Sequence, residues 1–184
     1  MSRTSTRGAG CHRLTGSVIV PLAAVGALLS PLGASAAADS VSDRNRDLAA
    51  ARQATARFHD VQRSLATGYQ ADPFCAESPE GVMGYHYVQG QYFGSTDPRT
   101  PAVLLYVPDN KGGVRLAGIE YVVPDADQNL STVGDRPSMF GEQFDGPMPG
   151  HFPGMPVHYD LHVWLWQHNP VGMFEEWNPS LSCS

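Results

Sequence analysis

Hydrophobic residues come first as a block and then as a stripe. Val18 to Leu32 is a nearly continuous apolar run. Between residues 43 and 67 the pattern becomes periodic. Ala51, Ala54, Phe58, Val61 and Leu65 recur at spacings of three and four, which lines one face of a helix. Arg44, Arg46, Arg52, Arg57 and Arg63 fall mostly on the other face. Ser42 or Asp43 suits the start of this helix and Gly68 its stop. Beyond Gly68 the helical period gives way to short apolar runs between Gly, Pro and Asp clusters. That punctuation predicts strands at 82–89, 102–107, 114–123 and 157–167. Asp109 to Gly113 separates the second run from the third, so these two are predicted to form an antiparallel hairpin. Segment 124–156 has no period and holds six prolines and five glycines. A loop of this length is usually functional or mobile, so it reads as a lid over the sheet or as an insertion with no role. The expected fold is α+β, with one N-terminal helix packed on a mainly antiparallel sheet able to curl into a barrel.

Composition narrows the function classes. The chain has 184 residues, of which 42% are hydrophobic and 16% charged, enough for one packed domain. Its net charge of −6 argues against a nucleic-acid partner, which would call for a basic patch. Arg3, Arg7 and Arg13 precede the apolar run, and Ala34-Ser35-Ala36 follows it. This order of positive start, short apolar centre and small-residue end predicts a signal peptide over residues 1–38. The mature chain, 39–184, would then be a single domain with no membrane span, secreted or held in the periplasm or cell envelope. Cleavage would remove Cys11 and leave Cys75 and Cys183. An even count in an exported chain predicts a disulfide between them.

Candidate chemistry lies on the strand faces. In 157–167 the odd positions, Val157, Tyr159, Leu161, Val163 and Leu165, make an apolar face. The even positions are His158, Asp160, His162, Trp164 and Trp166. Glu120 sits in an otherwise apolar run and is costly to bury without a partner. If His86, Glu120 and His162 share one face, they form a two-His, one-carboxylate set suited to a divalent transition metal with open coordination positions. Asp160 would lie about 6.5–7 Å from His162 along the strand. It is an additional ligand or a partner that orients an imidazole. His158 and His162 are about 13 Å apart on an ideal strand, too far to share an ion. The alternative is that Glu120 is satisfied by Tyr hydroxyls, Arg115 or Arg136.

The segments MGYHYV, GIEYVVP and YDLHVWLWQHNPVGMFEEWNPSLSC resemble those of small, uncharacterised exported bacterial proteins, over most of the chain from Ala50 to Ser184. The resemblance implies no activity, fold or ligand. Three functions remain open. The first is an exported protein with a His/Glu site for a divalent metal or small ligand. If it is an enzyme, the ion would activate water or oxygen. The second is a non-catalytic module in which Trp164 and Trp166, with His158, bind a carbohydrate or apolar ligand. The third is a structural cell-envelope protein.

Overall fold

The computed structural model describes residues 32–184, with side chains from Ser40 onward. Most of the predicted signal peptide therefore lies outside the described residues. Helix α1 runs over Leu32–Thr55 and passes into a 3₁₀ turn at Ala56–His59. The single helix expected over 43–67 is thus interrupted. Asp60 takes an extended conformation (φ −88°, ψ 102°) and starts a short second helix, α2, at Val61–Ala66. Its carboxylate accepts the Gln62 N–H at 3.1 Å, which satisfies one of the free donors at the helix start. The break moves the end of the stripe off the core. Ala51 and Phe58 are buried, while Leu65 is exposed. Gly68 ends the helical region at φ +96°, as expected of a helix-stop glycine.

Strands follow at β1 (Gln70–Ser78), β2 (Gly81–Val88), β3 (Val103–Pro108) and β4 (Val114–Pro124). After them come β5 (Ser138–Met139), β6 (Glu142–Gln143), β7 (Asp145–Met148) and β8 (His158–Val163). Six of them form a half-barrel-like antiparallel sheet in the order β1-β2-β3-β4-β8-β7, and β5 pairs with β6 separately. The α+β architecture is thereby shown. Segment 124–156, expected to lack regular structure, supplies three of these short strands, and β7 forms a sheet edge.

The β3–β4 connection is the expected hairpin. One Asp109 carboxylate oxygen accepts the N–H groups of Lys111 and Gly113, both at 2.8 Å. Register slips between Leu105 and Tyr106, because Leu105 faces Gly118 whereas Tyr106 faces Leu116. Ala117 is the extra residue of this bulge. Gly84 is required where it stands: its φ is +97°, and a Cβ there would lie 2.3 Å from the Tyr106 carbonyl oxygen.

Both faces of the sheet are covered. One packs Leu104, Tyr106, Ile119, Tyr121, Tyr159, Leu161 and Val163 with Ala51 and Phe58 of the helical segment. The other packs Val82, Val103, Leu105, Ala117, Val122 and Trp164, with Leu181 and Cys183 of the C-terminal tail against them. Cys75 on β1 is bonded to Cys183, with their Cα atoms 6.0 Å apart. Among the described residues, no helix is long and apolar enough to cross a membrane.

Candidate metal centre

Strand register decides which polar side chains meet. His86 on β2 lies opposite Leu105, and Glu120 on β4 lies opposite Val103. Leu105 and Val103 are two apart on β3, so His86 and Glu120 share a face. Glu120 also pairs directly with His162 on β8, and Val122 with Asp160. The face opposite the helices therefore carries His86, Glu120, His162, Asp160 and His158.

The first three converge. His86 Nε2 is 3.6 Å and His162 Nε2 is 3.8 Å from the same Glu120 oxygen, Oε2. One ligand atom from each residue lies within 4.8 Å of the other two. Bonds of about 2.1 Å to one tetrahedral ion put neighbouring donors roughly 3.4 Å apart, so small side-chain movements suffice to close the set. The imidazoles of His86 and His162 stand nearly perpendicular, at 85° with centroids 6.5 Å apart. Asp160 Oδ1 lies 3.9 Å from His162 Nδ1, on the far side of that ring from Glu120.

None of the expected alternative partners reaches Glu120. Arg115 donates to the Gln167 side chain at 2.6 Å, and Arg136 donates to the Gly146 carbonyl. The hydroxyls of Tyr69, Tyr106 and Tyr121 donate to the carbonyls of Pro101, Phe58 and Pro98. Glu120 Oε2, Asp160 Oδ1 and both ring nitrogens of His162 are buried without a hydrogen-bond partner among the described residues. Such atoms are rare in folded proteins and call for a specific cause.

Burial sets the charge state. It pushes the Glu120 carboxyl well above the ordinary range, and Asp160 and Glu176 add to the effect. Asp160 is pushed up to about 8, again first by burial and then by Glu176 and Asp145. Burial lowers His162 to about 3, with His86 and His151 contributing, and lowers His86 to about 4. Burial thus favours the uncharged form of all four groups in the metal-free cluster.

A cleft of about 350 Å³ opens onto His86 and Glu120. His162 lies beneath its floor, 1% exposed. Val88, Phe93, Val103, Val122, Phe152 and Met155 supply apolar wall, and Asp72, His151, Glu176 and Trp177 supply polar or amphipathic wall. Comparison of the chain with protein-family models, with curated proteins and with solved structures gives no match. The chemistry of the cleft therefore rests on its geometry alone.

The structure does not bring Trp164 and Trp166 together. Trp164 is on the site's face but buried, and its indole N–H donates to the Glu175 carbonyl at 2.7 Å. Trp166 packs on the opposite face, edge-on to His59 with ring centroids 4.5 Å apart. The alternation fails because β8 ends at Val163. Beyond it the Trp166 and Gln167 N–H groups both turn to the carbonyl of the bulge residue Ala117.

His158 is fully buried and meets His151, ring to ring at 4.7 Å, instead of joining the first cluster. Sequence reasoning missed His151, Phe152, Met155, Glu176 and Trp177. The only signal for the first three was the long Pro/Gly segment that contains them.

Proposed function

We propose that this is an exported protein that binds a divalent transition metal on His86 Nε2, Glu120 Oε2 and His162 Nε2. The observation that carries the reading is Glu120. It is a carboxyl group at 3% exposure, with an oxygen that no donor among the described residues satisfies, between two imidazole nitrogens less than 4 Å away. A divalent cation supplies what the site lacks. It stabilises the ionised carboxylate and takes the lone pairs of two imidazoles that burial already keeps neutral. A nitrogen-rich set of this kind suits zinc or a neighbouring first-row ion. Asp160 Oδ1 stands 3.9 Å from His162 Nδ1, and a small approach on metal binding would let it accept the Nδ1 proton and fix Nε2 as the ligand atom.

Three protein donors leave coordination positions free, and these face the cleft. When bound, the ion would act as a Lewis acid that lowers the pKa of a water or polarises a small molecule's oxygen. The apolar walls exclude bulk water, and Trp177 and Phe93 give a ligand ring or chain something to rest on. The signal-like N-terminus and the cystine support export.

Elemental analysis of the purified protein tests the reading. The wild-type protein should retain metal through gel filtration, and His86→Ala should lose one equivalent. His86 is partly exposed, so the variant should keep its fold. Metal content unchanged by that substitution would overturn the proposal.

A further inference from the structure

A second cluster lies beside the first and uses none of its ligands. His151 comes from the segment between β7 and β8, His158 opens β8, and Asp160 is two residues on. One ligand atom from each of these three lies within 4.8 Å of the other two. His158 is fully buried. Its Nδ1 is 3.2 Å from the Pro156 carbonyl, which can only accept a hydrogen bond. Nδ1 therefore carries the proton, and Nε2 presents a lone pair. That Nε2 is buried with no hydrogen-bond partner among the described residues, as is Asp160 Oδ1. A role for Asp160 in orienting His162 accounts for the second of these atoms but leaves the first unexplained.

The segment that brings His151 is folded on itself. The His151 N–H points at Met155 Sδ at 3.4 Å, and the Met155 N–H donates to Phe152 at 3.1 Å. Gly150 permits the tight approach, since a Cβ there would lie 2.1 Å from the Met155 carbonyl oxygen. His151 itself is exposed and lines the cleft above Glu120.

We infer that His151, His158 and Asp160 form a second site for a divalent transition metal, placed so that its ion fastens the 149–157 segment over the cleft. Two imidazoles and one carboxylate favour zinc-like ions over calcium or magnesium, which take oxygen ligands. The inference goes beyond the first site and does not depend on it. Asp160 stands between the two triads, behind the His162 ring, so filling one site changes the charge seen by the other.

Loading with cobalt(II) tests it, since bound metal and visible absorption can both be read without an activity. The purified wild-type protein should hold two equivalents after gel filtration. His151→Ala, on an exposed residue, should hold one, as should His158→Gln. Glu120→Gln should hold the other one, and the double variant Glu120→Gln with His151→Ala should hold none. A His151→Ala protein with undiminished cobalt would overturn the second site. Loss of one equivalent in Glu120→Gln alone, with one in the wild type, would do the same and leave the first site standing. Loss in His151→Ala but not in Glu120→Gln would sustain the second site and remove the first.

Discussion

Replacing Glu120 by glutamine separates the ion's contribution from that of packing. The two side chains have nearly the same size, and burial favours the protonated, uncharged form of Glu120 when no metal is bound. The variant amide fills the same space between the imidazole nitrogens, which lie 3.6 and 3.8 Å from Glu120 Oε2. The metal-free variant should therefore match the wild type within about 1 kcal/mol. With metal the two should part. An ion present at a hundred times its dissociation constant adds about 2.7 kcal/mol to the folded state. For a folded region of this size that raises the unfolding midpoint by roughly 8–10 °C. Outer-shell changes at metal sites already weaken binding by up to ~100-fold, and loss of one of three protein donors should reach at least that. At unchanged metal concentration the stability added by this site falls to about 0.4 kcal/mol, or roughly 1–2 °C, while any ion on His151, His158 and Asp160 adds equally to both proteins. Scanning calorimetry of both proteins, in chelator and in zinc, reads all four values. Because metal displaces the Glu120 proton, wild-type log affinity should also rise by about one per pH unit while that carboxyl is protonated, and the variant should show a flatter slope. An equal zinc-induced rise in the two proteins would refute the assignment of Glu120 as a ligand.

Two further outcomes are expected. In chelator, stability should fall as pH rises above 6.5. The folded pKa of Asp160, about 8, lies above its ordinary 3.8, so its contribution is complete below about 4 and is lost as pH rises through 8. Glu120 acts in the same sense. His86 and His162, lowered from 6.5 to about 4 and about 3, act oppositely: their contribution is complete above 6.5 and lost as pH falls through those values. Urea midpoints from pH 6.5 to 9 isolate the carboxyls, and Asp160→Asn should flatten the decline; a wild-type profile already flat would contradict the burial argument. Replacing both Cys75 and Cys183 by serine opens a cross-link spanning 108 residues of sequence. The chain-entropy argument gives a loss of up to about 4–5 kcal/mol, read from denaturant midpoints. An unchanged midpoint would show that the cross-link does not restrict the unfolded chain.

Much of the sheet was legible in the sequence. Strands β2, β3, β4 and β8 are apolar runs between turn residues, and each lies within two residues of its expected start. Strict alternation in β8 put His158, Asp160 and His162 on one face before any register was known. The pairing of β4 with β8 had to come from the fold, since one residue of slip would have sent Glu120 to the helix side. Strand β1 could not be read. It is an edge strand with Pro73 inside it and Phe74 exposed, so it shows neither alternation nor burial. The break at Asp60 was hidden because the three-and-four spacing continues across it, although an Asp placed to cap α2 was the available sign. Trp166 misled because alternation holds only as far as the strand does. His151 stands alone among prolines and glycines, and its partner His158 reaches it only through the fold of the intervening loop.

The two sides of the sheet are covered by different kinds of chain. Helices shield one side, and their internal hydrogen bonds persist when they shift as bodies. Loop and tail shield the other, tied to the sheet by the Cys75–Cys183 bond and by backbone links such as the reciprocal 3.1 Å pair between Val82 and Asn178. Such covers open locally at a free energy well below that of unfolding the whole domain. An ion or ligand can thus enter and leave by brief excursions of the cover while the strands bearing its donors stay in register. Exchange of the proposed ion would then be timed by the motions of two irregular segments, independently of how stable the sheet beneath them is.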